Sequence, residues 1–143
     1  MDPEHERWIR IAMLDDWGIH HPREFHIRAV AYLAFQRDRL MFLIAKTGSG
    51  KSAVPLAVGA LQCGITLTMA PLVGLGSDQV SKSTNEANLI EAYHLDEHMG
   101  TDAQALRNRL LSLNQREAEY VSIFLYASPQ SLQPGTFWQK LLL

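Results

Sequence analysis

The chain has 143 residues, enough for one domain with a sizeable core. Apolar residues make up 47% and charged ones 20%, which excludes a disordered or collagen-like chain. With 13 basic and 15 acidic residues the formal net charge is -2, so no global positive field advertises nucleic acid, and any such binding must be local.

The opening MDPEHERWIRIAM carries acids early and lacks the basic start and apolar run of a secretory signal. No stretch approaches the length of a membrane span, so a soluble, intracellular protein with no membrane partner is expected. Between Glu4 and Asp16 the apolar Trp8, Ile9, Ala12 and Met13 recur at helical spacing. Gly18 and Pro22 in WGIHHP then break the pattern, and the nearby His20, His21 and His26 are expected to be solvated. After Pro22, Phe25, Ala29 and Leu33 predict a second helix running to the charged QRDR. The run LMFLIA, Leu40 to Ala45, is nearly continuous and apolar and ends at a glycine-rich turn, which predicts a parallel strand buried on both faces. A helix from Lys51 to Gln62 should follow, with Pro55 tolerated near its start and Gly64 stopping it. The single cysteine, Cys63, cannot form an internal disulfide and has no metal-site partners around it.

ITLTMAP reads as a strand closed by Pro71, LVGLGSDQVSK as mostly helical, and the chain is then polar through Asn88. His94 and His98 are four apart, but no third ligand stands out, so a solvated loop is preferred to a metal site. Thr101 and Gln104 have capping-box spacing ahead of a stripe of Leu106, Leu110 and Leu113. VSIFLYASP predicts a third buried strand ending at Pro129. Strands separated by helices argue for a parallel α/β sheet.

The stretch LIAKTGSGKSAVPL, Leu43 to Leu56, carries the clearest chemistry. Phosphate binding requires several backbone N–H groups converging at the positive end of a helix, through a turn that only small residues permit. Thr47, Gly48, Ser49 and Gly50 supply that turn. Lys51 is placed to meet the β- and γ-phosphates, and the Ser52 hydroxyl to coordinate Mg²⁺. The strict pattern opens with Gly where this chain has Ala45, which is small enough to keep the loop geometry. Hydrolysis also needs a carboxylate at a neighbouring strand end. VSIFLYA ends instead in Ser128 and Pro129, and Asp78, Asp96 and Asp102 read as solvated charges or caps.

Three stretches, FHIRAVAYLAF…DRLMFLIAKTGSGKSAVPLAVGAL, GITLTMAPLVGLGSDQV and FLYASPQSL, resemble in order and spacing the start of the first motor domain of superfamily 2 helicases, most closely the RecQ-like DNA helicases. The resemblance runs from about Phe25 to about Leu132. It implies an incomplete RecA-like P-loop NTPase fold, a parallel sheet with flanking helices, with residues 1–22 as a preceding helix and loop and 23–143 as a partial ATP-binding domain. It implies ATP and Mg²⁺ as cofactors, bound by Ala45 to Ser52, with Phe25 beneath the base. Ala29 stands where the family has the glutamine that reads adenine.

The resemblance further implies that APLVGLGSDQV, with Pro71, Leu72, Asp78, Gln79 and Val80, and the turn Ser128, Pro129 and Gln130 grip the backbone of a single strand of DNA. In the intact family member this serves ATP-dependent 3′ to 5′ unwinding, in the nucleus of a eukaryote. The chain ends at TFWQKLLL, before the family's DExH box. It is therefore expected to be a fragment or degenerate copy without appreciable ATPase activity, with unpaired backbone beside the phosphate-loop strand and Trp138 deprived of its core partner. A noncatalytic nucleotide- or nucleic-acid-binding module is the alternative, and a small P-loop kinase a third reading.

Overall fold

A computed structural model of the chain describes residues 1–36, 38, 40–69, 80, 84–85, 88–97 and 100–143. They form two compact units, Met1–Gln62 and Cys63–Leu143.

The first unit is helical. Helix α1 (Pro3–Trp17) starts at Asp2, whose carboxylate accepts the Glu4 N–H at 2.9 Å, and ends at Gly18 in the left-handed conformation, φ 64°. Pro3 sits where its missing N–H would have had no helical acceptor. Helices α2 (Glu24–Phe35) and α3 (Ala53–Gln62) follow, and all three pack on one another. Their shared core is Ile9, Met13, Ile27, Val30, Val54 and Ala57, each at most 4% exposed. Pro55 is the third residue of α3, within the turn whose N–H groups lack helical partners. At the other end of α3 the Gln62 amide donates to the Leu33 and Ala34 carbonyls, tying it to the last turn of α2.

The expected buried strand at Leu40 to Ala45 is not formed. The segment pairs with no strand among the described residues, and its side chains alternate. Leu40, Phe42 and Ile44 are 79%, 84% and 94% exposed, whereas Met41 and Leu43 pack on the helical core. A continuous apolar run signals burial on both faces only when partners cover both faces, and here one face has a partner.

The second unit is a three-stranded parallel sheet with helices. Its elements are β1 (Gly64–Met69), β2 (Ile90–His94), α4 (Thr101–Ser112), β3 (Ser122–Ala127) and α5 (Phe137–Leu142). Strand order is β1-β3-β2, with Gly64 to Met69 and Ile90 to His94 in register with β3 from Ser122 onward. The central β3 is buried along its whole length, its apolar run from Ile123 to Ala127 flanked by a strand on each side. Ile123, Leu125 and Ala127 pack with Leu106 and Leu110 of α4 and with Trp138.

Strand β2 was not foreseen. Its Glu91 is charged, and the charge is met by Arg109 of α4, whose guanidinium reaches Glu91 at 2.9 Å and Glu117 at 2.8 Å. The capping box expected at Thr101 is also absent. Gly100 precedes the helix with φ 59°, its carbonyl accepting the Gln104 N–H at 3.2 Å, so Thr101 is already the first helical residue. Trp138 has not lost its partners. It is 5% exposed within the sheet core, and its indole N–H donates to the Leu95 carbonyl at 3.1 Å. The expected helix over LVGLGSDQVSK lies almost wholly outside the described residues.

Candidate functional site

The phosphate-loop residues lie in the first unit, between the exposed segment 40–45 and α3. Gly48 and Gly50 both take left-handed backbone, φ 77° and 82°, which an L side chain would resist. Lys51 folds back across the loop, its ammonium donating to the carbonyls of Ala45 at 2.6 Å and Lys46 at 3.0 Å. Two of its three N–H bonds thus clamp the loop entrance, leaving one for a ligand.

The backbone N–H groups of this loop are only partly matched by acceptors. The Ser49 N–H donates to the Lys46 carbonyl at 3.3 Å, the Ala53 N–H to Gly50 and the Val54 N–H to Lys51, both at 3.1 Å. The N–H groups of Gly48, Gly50, Lys51 and Ser52 meet no acceptor among the described residues. These four donors belong to residues 48–52, immediately ahead of a ten-residue helix whose macrodipole adds a fractional positive charge at its N-terminus. Ser49 is only 6% exposed, and its hydroxyl has no hydrogen-bond partner. A buried hydroxyl left so costs about 1–3 kcal/mol. Ser52 is exposed at the start of α3, and its hydroxyl has no partner among the described residues.

His26 corrects the expectation of a solvated ring. It is buried, and its ring bridges the Arg23 N–H at 3.1 Å and the Gly50 carbonyl at 3.0 Å. Sequence reading passed over it because Gly50 is 24 residues away. The available signal was its place three residues after Arg23, where the polar side chain of a capping box reaches back to the N-cap.

Phe25 is half-buried, its ring centroid 4.0 Å from that of His26. It lines an open groove of about 810 Å³ with Arg28, Ala29, Tyr32, Leu40 and Phe42. The groove and the loop are thus joined through Phe25 and His26. At Ala29 the groove wall is a methyl group, with no amide to read the edge of a base.

No protein-family model and no curated protein sequence matches the chain.

The remaining candidates belong to the second unit or fall outside the described residues, as Pro71, Leu72, Asp78, Gln79 and His98 do. Ser128 is 1% exposed, with its N–H on the Asp96 carboxylate at 2.9 Å and its hydroxyl at 2.6 Å. The Ser131 hydroxyl bonds the same carboxylate. Pro129 and Gln130 are exposed beside it, opening the turn Pro129–Leu132. Burial alone raises the Asp96 carboxyl, but the hydrogen bonds from Ser128 and Ser131, with His94 nearby, outweigh it and hold the group below its ordinary range. Asp96 is neither the solvated charge nor the helix cap expected: it is partly buried and accepts from Ser128 and Ser131 across the chain, while the turn Pro129–Leu132 has no side-chain cap. His94 ends β2 at 1% exposure, 3.5 Å from Asp96. No cluster of three metal-ligating side chains occurs among the described residues. No helix among them is long and apolar enough to cross a membrane.

Proposed function

We propose that the chain binds a magnesium nucleoside triphosphate through residues 45–52, as the ATP-binding part of a RecQ-like DNA helicase. The single observation that carries this reading is the set of four N–H groups, of Gly48, Gly50, Lys51 and Ser52, without acceptors among the described residues just before α3, with the Lys51 ammonium folded back over the same loop. Such a set complements several phosphate oxygens at once, which a chloride or a lone carboxylate does not use. In this reading Lys51 and the loop N–H groups hold the β- and γ-phosphates, and Ser52 supplies a hydroxyl to Mg²⁺. The metal ion neutralises phosphate charge, and because Mg²⁺ keeps most of its water, one protein oxygen suffices.

The helicase assignment rests on the resemblance of motif order alone. DNA contact in the second unit would fall to the exposed Pro129 and Gln130, since both donors of Ser128 are committed to Asp96. A second reading, binding without turnover, is favoured by the end of β3, where Ser128 and Pro129 follow Ala127 in place of a carboxylate.

The test is thermal unfolding of the chain with and without Mg·ATP, beside a Lys51→Ala variant. At a hundredfold excess over Kd, ligand should add about 2.7 kcal/mol to the native chain and nothing to the variant. An unfolding transition indifferent to nucleotide in the native chain would remove the reading.

A further inference from the structure

His26 links two pieces of backbone that the sequence keeps far apart. Its Nδ1 faces the Arg23 N–H at 3.1 Å; that group can only donate, so Nδ1 accepts and carries no proton. The proton therefore sits on Nε2, which donates to the Gly50 carbonyl at 3.0 Å. The same carbonyl accepts the Ala53 N–H that opens α3, at 3.1 Å. In a trans peptide the C=O and the following N–H point in opposite directions. Holding the Gly50 carbonyl from two sides therefore fixes the Lys51 N–H to point back out of the helix N-terminus. The site is tight: a Cβ at residue 50 would lie 3.3 Å from Nε2, and the Phe25 ring packs beside the imidazole at 4.0 Å.

We infer that His26 is a positioning residue for phosphate, acting through the peptide between Gly50 and Lys51. This rests on the phosphate-site reading above. The ring does not touch the ligand; it holds one N–H of the set in its binding direction before the ligand arrives, so that less ordering is needed on binding. The arrangement requires the Nε2–H tautomer and an acceptor Nδ1. A glutamine can place an amide N–H near the position of Nε2, whereas an asparagine is too short to reach Gly50.

The experiment titrates native chain, His26→Gln and His26→Asn with Mg·ATP and, separately, with inorganic tripolyphosphate, recording each variant's unfolding midpoint. The expected result is a loss of about tenfold in affinity for both ligands in His26→Asn, with recovery to within about threefold in His26→Gln. Equal affinity of native chain and His26→Asn would overturn the inference while leaving the phosphate site standing. Failure of the native chain to bind either ligand would remove both. Should His26→Asn not fold, the ring nitrogens of the native chain are read by long-range proton–nitrogen NMR. An Nε2–H tautomer whose proton shifts as tripolyphosphate is added supports the inference; an Nδ1–H tautomer, or an unmoved resonance, overturns it.

Discussion

Replacing Gly50 with alanine should weaken Mg·ATP binding more than replacing Gly48, although the two glycines have nearly the same backbone, φ 82° and 77°. Holding an L residue in left-handed backbone costs about 1–2 kcal/mol, and both variants carry that cost. At Gly48 nothing lies within 4 Å of the new Cβ, so the cost ends there. At Gly50 the Cβ meets His26 Nε2 at 3.3 Å and Cε1 at 3.6 Å. The buried ring must give way, and the hydrogen bond to the Gly50 carbonyl goes with it, adding about 1 kcal/mol. If the bound loop bears these costs, Gly48→Ala loses about tenfold in affinity and Gly50→Ala about fiftyfold or more. Equilibrium titration with a fluorescent Mg·ATP analogue measures both, and circular-dichroism unfolding separates loop effects from global stability. Equal losses in the two variants would show that the imidazole does not constrain the loop, and the geometric argument would fail.

Three further outcomes follow from other parts of the molecule. Because Ala29 offers no amide to a base edge, Mg·GTP should compete with Mg·ATP at about equal affinity; a tenfold preference for ATP would mean another group reads the base. Trp138→Phe should destabilise the sheet unit by about 2 kcal/mol, by orphaning the Leu95 carbonyl, and an unchanged urea midpoint would contradict that role. Asp96 binds its proton more weakly in the folded chain than its ordinary value of 3.8, so its stabilisation is present above that pH and is lost as pH falls below it. Asp96→Asn should therefore flatten the acid side of the stability profile, and an identical acid dependence in the two proteins would refute this.

Elements whose signal is local were legible in the sequence. The period of Phe25, Ala29 and Leu33 gave α2, and the apolar run in VSIFLYASP gave a buried strand. The tight turn at Gly48 and Gly50 was equally readable, since left-handed backbone leaves a residue-type signature that needs no partner. What escaped depends on distant partners. LMFLIA has the composition of a buried strand, yet a strand exists only where another supplies its hydrogen bonds, and composition does not say where that neighbour is. IEAYH was obscured by Glu91, whose charge is tolerable in the sheet because Arg109 arrives from α4, 18 residues later. Trp138 was misjudged for the same reason, its acceptor Leu95 lying 43 residues earlier. At the candidate site, the sequence named the loop residues but not their contacts: the His26 bond to Gly50 and the fold-back of Lys51 onto Ala45 become visible only in the folded loop.

The four N–H groups ahead of α3 can be observed one by one. Backbone amide resonances of Gly48, Gly50, Lys51 and Ser52 should be followed in proton–nitrogen spectra as Mg·ATP is added to the native chain. If these groups cradle the phosphates, all four shift downfield together and saturate at one Kd, and Lys51→Ala abolishes or greatly weakens the response. If ATP binds while these amides stay in place, or if they ignore ATP altogether, the loop is not a phosphate site and the account fails at its base.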